Sequence, residues 1–388
     1  MKYNFDKIID RRFTESTKWD GMTDYFGSNK PLPMWIADMD FMTPKPIIKA
    51  VKRRLKHPIY GYSFPGESCY DAIIKKMARD FSWKIKKEWI VFTNGVVDGL
   101  DTGIKSLTEP GDSVVIQPPV YFPFTSVIKN NKCEILNNVL LNQNGQYTMN
   151  YDDLRSKLSK KPKAIILCSP HNPVGRVWRE EELKELGEMC FANNCVMIAD
   201  EIHNDIVFKS NQHTVLASIN TRLEQSTISL FSSSKIFNTP AFHTAFAVIP
   251  NPELREKYLQ ARMGQNGGNL FGYIALEAGY NCGDKYKRKV VKYIEANIEY
   301  FVKYINKNIP QLQVVKPEGT YLVWVDMKDL NILPEQRNKF LIQNCRLALD
   351  EGGIFGEGGE GFYRFNLACP RVYVEEALLR LEEAIKNL

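Results

Sequence analysis

The sequence has few histidines, no paired cysteine motif and no long apolar run, and each shortage removes a class of function. Its five histidines show no recognised metal-ligand spacing, and His203 and His213 read as unrelated residues, so no metal is expected. The eight cysteines (Cys69, Cys133, Cys168, Cys190, Cys195, Cys282, Cys345 and Cys369) include no Cys-x-x-Cys pair and are widely spaced. Such spacing in a large chain argues against a disulfide framework and for reduced thiols, as in a cytosol. No run of about 18 apolar residues occurs. Residues 1–12 mix Lys2, Asp6, Lys7 and Asp10 with apolar side chains, so an uninterrupted signal-peptide core is missing. The expected protein is neither exported nor membrane-spanning, and cytoplasmic. The formal charge of +6 is scattered, with Lys52-Arg53-Arg54 and residues 285–289 as local concentrations, and no basic stripe with interleaved aromatics accompanies it. No nucleic-acid partner is expected.

At 388 residues the chain exceeds the usual size of one hydrophobic core, so two domains are predicted. Short apolar runs recur, each ending in a polar or glycine-containing segment. Trp89-Ile90-Val91-Phe92 precedes Thr93-Asn94-Gly95, Ser113-Val114-Val115-Ile116 precedes Gln117-Pro118-Pro119, and Ala164-Ile165-Ile166-Leu167-Cys168 precedes Ser169-Pro170-His171-Asn172. Two more runs end at Asp200 and Ser232. Between them lie helical patterns such as residues 181–193, with Leu183, Leu186, Met189 and Cys190 on one face. Strands alternating with helices predict an α/β protein with a doubly wound, mostly parallel sheet, and ligands then bind beyond the carboxyl ends of the strands. Residues 312–315, 320–325 and 363–367 read as strands, 284–308 as a connecting helix and 374–388 as an amphipathic helix. A large domain over 46–282 and a smaller α+β domain from 1–45 plus 283–388 are the expected division.

The residue types at these strand ends carry the chemistry. Lys235 sits in Ser232-Ser233-Ser234-Lys235, directly after Ile228-Ser229-Leu230-Phe231 and 35 residues beyond Asp200. A lysine at a strand end among hydroxyls suggests a Schiff base, and a carboxylate at a neighbouring strand end suggests a partner for a pyridine nitrogen. Together they point to pyridoxal 5'-phosphate (PLP), which needs a covalent anchor and an acid that keeps its ring protonated as an electron sink. Thr93-Asn94-Gly95-Val96-Val97 passes from strand into a helix over 98–107, where backbone N–H groups would face a phosphate. Taken alone, each motif has an ordinary alternative. Asn94-Gly95 and Asn172-Pro173 are common turn starters, Tyr121 could be core, and Asp200 could cap a helix. Order and spacing alter the balance: Asn172, Asp200 and Lys235 are each read as terminating a strand, 28 and 35 residues apart, about one helix-plus-strand unit each.

Further segments extend the pattern: Trp35-Ile36-Ala37-Asp38-Met39-Asp40-Phe41, Tyr60-Gly61-Tyr62, Gln117-Pro118-Pro119-Val120-Tyr121, Asp200-Glu201-Ile202-His203, Glu318-Gly319-Thr320-Tyr321 and Arg364-Phe365-Asn366-Leu367-Ala368-Cys369-Pro370-Arg371. With these the chain resembles the fold-type-I PLP enzymes of the aminotransferase class I/II superfamily, and within it the MalY/PatB-type cystathionine β-lyases, or carbon–sulfur lyases. The resemblance spans nearly the whole chain. It implies that Lys235 forms the Schiff base and moves the α-proton, Asp200 holds the pyridinium N1 proton, and Asn172 bonds the ring 3'-oxygen. His203 stands where many relatives place a tyrosine for that purpose. Tyr121 would stack on the ring, while Gly95, the backbone of Val96 and Val97, and the hydroxyls of Ser232 and Ser234 would hold the phosphate. Arg364 would clamp the substrate α-carboxylate, with Tyr321 and Asp38 also on the substrate side. Tyr62 would reach the phosphate of a neighbouring subunit, which implies a homodimer with shared active sites.

After the lysine the family usually reads Lys-Thr-Phe-Asn-x-Ala-Gly-Leu, whereas this chain reads Lys235-Ile236-Phe237-Asn238-Thr239-Pro240-Ala241-Phe242-His243. A hydroxyl is lost at Ile236, a glycine becomes Ala241, and His243 replaces the superfamily's phosphate-binding arginine, which leaves the course of the backbone here open. The expected activity is α,β-elimination on cystathionine or a related cysteine S-conjugate, yielding a thiol, pyruvate and ammonia. Transamination of an amino acid is the alternative, since it uses the same residues. A PLP-binding regulatory module is a third, favoured only if a DNA-binding segment were fused to it.

Overall fold

The computed structural model describes residues 3–262 and 267–388. Its centre is a seven-stranded sheet built from β1 (Ile90–Thr93), β2 (Ser113–Ile116), β3 (Glu134–Asn137), β4 (Ala164–Cys168), β5 (Val196–Asp200), β6 (Thr227–Phe231) and β7 (Ala245–Val248), in the order β1-β7-β6-β5-β4-β2-β3. The pairings among β3, β2, β4, β5 and β6 are parallel, and β7 runs antiparallel between β6 and β1. Strands β4 and β5 are apolar at every position except Asp200, and β6 adds only the buried hydroxyls of Thr227 and Ser229, because helices cover both faces of the sheet. Strands β3 and β7 escaped the sequence reading. Glu134–Asn137 lies at the sheet edge and is only partly buried, and Ala245–Val248 follows a segment without a clear turn signal.

A second, antiparallel sheet joins β8 (Gln313–Val315), β9 (Leu322–Asp326), β10 (Asp350–Glu351) and β11 (Phe362–Asn366) in the order β8-β9-β11-β10. The chain near the amino end reaches this region, where Leu32–Pro33 pairs in parallel with Leu347–Ala348. The helix Asp284–Asn308 bridges the two sheets. One continuous core includes Phe231 and Phe246 of the large sheet, Ile298 of that helix, and Val323 and Phe365 of the small sheet. Burying such side chains contributes about 1.5–3 kcal/mol each, so this shared core couples the two sheets energetically.

Helix ends differ from the sequence reading for local reasons. The helix expected over 98–107 begins at Val96 because Gly95, at φ +144°, allows the chain to leave β1 and start its first turn at once. The helix expected over 181–193 is Glu180–Ala192, where the Glu182 carboxylate accepts from the Arg179 N–H at 2.9 Å and fixes the start. The last helix is Arg371–Lys386, beginning directly after Pro370. No described helix is long and apolar enough to cross a membrane.

Candidate active site

A cavity of about 310 Å³ opens beyond the carboxyl ends of β1, β4, β5 and β6. Ten of the sequence-predicted residues line it: Gly95, Val96, Val97, Tyr121, Asn172, Asp200, His203, Ser232, Ser234 and Lys235. Two placements differ in detail from the reading. Lys235 does not end its strand: β6 stops at Phe231 and the lysine occupies a one-turn helix, Ser234–Phe237. Asn172 lies four residues beyond the end of β4 at Cys168, on the loop that follows. Asp200, by contrast, reaches the cavity from the last residue of β5 itself.

Lys235 and Asp200 have perturbed ionisation for one main reason, burial. Burial pushes the Lys235 amine down to about 8; the Arg364 cation adds to this, while Asp38 and Asp200 oppose it. Its Nζ donates to the Ala37 carbonyl at 2.6 Å. Burial pushes the Asp200 carboxyl up to about 7, against the opposing effects of the Ile202 N–H, which donates to it at 3.1 Å, and of Lys235. Ionisation shifted toward neutral pH in an enclosed space concentrates at functional sites.

At one end of the cavity the helix Val96–Leu107 presents its first turn without a side-chain cap, leaving N–H groups free for an anion. Ser232 and Ser234 stand beside it: the Ser232 hydroxyl accepts from the Ser234 N–H at 3.1 Å and donates to the Thr244 carbonyl at 2.9 Å. Asn94 and Asp98 brace the loop, with the Asn94 N–H donating to Asp98 Oδ2 at 2.9 Å and the Gly268 N–H donating to Asn94 Oδ1 at 3.0 Å.

Behind the opposite wall, Arg364 is buried at the centre of β11. Its Nη1 donates to Asn172 Oδ1 at 2.8 Å, its Nη2 pairs with Asp350, and its Nε has no partner among the described residues. Tyr321 is fully buried and its hydroxyl donates to the Ala37 carbonyl at 2.9 Å, sharing that acceptor with Lys235. The His203 ring meets Tyr321 edge-on at 5.8 Å, and burial, with Lys235 and Arg364 nearby, holds its imidazole well below its ordinary pKa and therefore neutral.

Arg364 and Tyr321 thus lie outside the cavity lining, and so do the two remaining predicted residues, Tyr62 and Asp38. Tyr62 is fully exposed, on a segment that also exposes Ile59, Tyr60 and Phe64. Asp38 is gripped by the Arg11 guanidinium at 2.6 and 3.0 Å and belongs to a buried ion network with Lys18 and Asp40. Other residues line or hold the site without having been singled out: Asp98, Ala37 and Ile202 line it. Asn238 fastens the passing strap through Met39 and Phe41, donating to their carbonyls at 2.7 and 2.9 Å. Its left-handed backbone, at φ +56°, ends the lysine's helix, a role that asparagine in Phe237-Asn238-Thr239 could have signalled. The lost hydroxyl at Ile236 does not face the cavity, because that side chain is buried in the core. His243 lines the cavity at its exposed rim.

The profile of the family Aminotransferase class I and II matches residues 31–381. The chain is 36% identical to cystathionine beta-lyase PatB of Bacillus subtilis, over 98% of this chain and 100% of the relative, and 32% identical to protein MalY of Escherichia coli, over 99% of each. Among solved structures, cystalysin from Treponema denticola, which contains PLP, superposes with a TM-score of 0.96 at 35% identity, covering 100% of both chains. The PLP-bound C-S lyase of Staphylococcus hominis in complex with L-cycloserine superposes with a TM-score of 0.94 at 30% identity, covering 99% of this chain and 98% of that one. A seven-stranded mostly parallel sheet with this cavity, matched over nearly its full length in sequence and in structure, makes this chain a member of the aminotransferase class I and II family.

Proposed function

We propose that this protein is a PLP-dependent carbon–sulfur β-lyase that cleaves cystathionine or related cysteine S-conjugates to a thiol, pyruvate and ammonia. The buried Lys235, its amine lowered to about 8, and the buried Asp200, its carboxyl raised to about 7, in one cavity with an anion cradle carry the PLP part of the reading, and the 36% identity to cystathionine beta-lyase PatB over 98% of the chain carries the lyase part. The residues fit PLP. Gly95 is at φ +144° with no atom within 4 Å of an added Cβ, which leaves room for a phosphate against the backbone. The His203 Nδ1 is buried without a partner among the described residues, and Asp200 is a buried acid suited to a pyridinium N–H.

When bound, PLP supplies an electron sink for charge developing at the substrate α-carbon. Lys235 Nζ anchors the cofactor and moves the α-proton, and its lowered pKa keeps part of it neutral near pH 7. Asp200 holds a proton at the ring nitrogen. Asn172 has its Oδ1 committed to Arg364, so its NH2 group is the part free to donate to the ring oxygen, with the neutral His203 beside it. Tyr121 would hold the face of the ring, and Gly95, Val96, Val97, Ser232 and Ser234 would hold the phosphate. Arg364 clamps the α-carboxylate, Tyr321 steadies the Ala37 strap that Lys235 touches, and Asp38 offsets positive charge near the lysine. The test uses purified protein with cystathionine and no keto acid. Pyruvate and free thiol in equal amounts are expected, and their absence together with amino-group transfer to the cofactor would establish an aminotransferase instead.

The same reading includes a homodimer with shared sites, two domains divided at 46 and 283, and a cytoplasmic location. The exposed Tyr62, with Ile59, Tyr60 and Phe64 around it, supports the first. The pairing of Leu32–Pro33 with Leu347–Ala348 supports the second, and eight unpaired cysteines support the third. Tyr62→Phe is expected to weaken PLP retention by about tenfold, the effect of one hydrogen bond to a charged group, with the dimer intact by sedimentation. Retention equal to wild type would remove Tyr62 from the phosphate site.

A further inference from the structure

Resting on the reading of Arg364 as the carboxylate clamp, we propose that Asp350 is a positioning residue for the substrate: its carboxylate holds the Arg364 guanidinium, and through it the Asn172 amide, in the orientation that receives an amino acid's α-carboxylate. Asp350 and Arg364 are direct partners across the antiparallel strands β10 and β11. Their ion pair is nearly dry, with side-chain exposures of 11% and 3%, and Asp350 pairs with no other described cation. Three contacts fix the guanidinium plane: Asp350 at Nη2, Asn172 at Nη1, and the Phe355 ring 4.8 Å beneath. Nε is buried without a partner among the described residues, and with only Nη1 and Nη2 each making one of these bonds, the guanidinium keeps donors for a carboxylate.

The chain of contacts reaches the cavity. Because Asn172 Oδ1 accepts from Arg364, the opposite end of that amide is turned away from the arginine, and Asn172 lines the cavity. A carboxylate two residues along a hydrogen-bonded chain from the reacting space thus sets the direction of the Asn172 amide that lines it and of the Arg364 guanidinium behind its wall. Without Asp350 the guanidinium keeps its charge but loses one of its fixed points. A bidentate pair depends on direction as well as charge, so misorientation costs affinity. The pairing also tempers a cation that depresses the Lys235 amine, so removing it should depress that amine further.

The test compares Asp350→Ala and Asp350→Asn holoenzymes with wild type, following by cofactor absorbance the uptake of L-alanine and of ethylamine, which has no carboxylate. L-alanine binding should weaken by about tenfold in Asp350→Ala and by a smaller factor in Asp350→Asn, whose amide oxygen can still accept, while ethylamine binding stays within about twofold. KM for an S-substituted cysteine should rise with kcat little changed, and the pH at which PLP recombines half-maximally with apoprotein should move below that of wild type. Unchanged or tighter L-alanine binding would overturn the proposal, as would an equal loss for ethylamine, which would mark a structural role. Failure of the lyase reading appears separately, as absence of thiol release by wild type, and the alanine-to-ethylamine ratio still decides on Asp350.

Discussion

Replacing Lys235 by alanine is expected to lower pyruvate release from cysteine S-conjugates by at least about 10³-fold, because one side chain serves as both covalent anchor and proton carrier. PLP should still bind through the phosphate cradle, but the visible Schiff-base absorbance of the resting protein should be lost. Added methylamine should restore part of the rate, since a small amine can replace a missing base but a collapsed fold cannot be repaired that way. A variant that keeps its resting Schiff-base absorbance would show that another lysine is the anchor. The pH dependence has a definite sign. Only the neutral amine attacks a carbonyl, so with an amine pKa of about 8, recombination of PLP with apoprotein should rise about tenfold per pH unit below that value and level off above it. A midpoint near the ordinary lysine value would show that the amine is not buried as described.

The second large effect is at Asp200. Asp200→Asn removes the carboxylate that holds the ring-nitrogen proton and should lower kcat by about 10²–10³-fold, the size typical of losing a preorganised charge at a reacting centre. The same change should stabilise the cofactor-free protein. The carboxyl is raised from 3.8 to about 7 in the folded state, so between those pH values the folded protein keeps a proton that the unfolded chain releases. Folding stability attributable to Asp200 is therefore present at low pH, falls as pH rises through that window, and its cost is complete above pH 7. An asparagine carries no such cost. Apo Asp200→Asn should melt higher than apo wild type at pH 8, with the difference shrinking toward pH 4. Equal melting curves at pH 8 would mean that burial does not penalise the Asp200 charge.

These two residues also show how legible the site was in the sequence. Asp200 and Lys235 each follow an apolar run long enough to be a buried strand, and in a parallel sheet that alone directs them to one edge. Asn172, Tyr121 and the Gly95 turn follow the same logic, and all of them line one cavity. Arg364 was found only by resemblance, because the middle of the antiparallel strand Phe362–Asn366 gives no local sign that it faces a site. Asp350 was not found. It lies in a two-residue strand among glycines, and its importance comes from a partner 14 residues away across the sheet. Ala37 escaped notice for a related reason, since its function lies in a backbone carbonyl.

What the sequence determined by itself is local and periodic: five of the seven strands of the large sheet, helices between them, the turn at Gly95, the acid that ends one of those strands and the lysine that follows another. Those features depend on residues a few positions apart, so burial pattern and backbone preference suffice to read them. Tertiary structure alone decided which long-range partners those residues meet. It set the Ala37 carbonyl against Lys235, Asp350 against Arg364 and Arg364 against Asn172, and it enclosed Lys235 and Asp200 until burial moved their ionisation toward neutral pH. Desolvation and direction depend on everything packed around a group, and most of what surrounds these groups is distant in sequence.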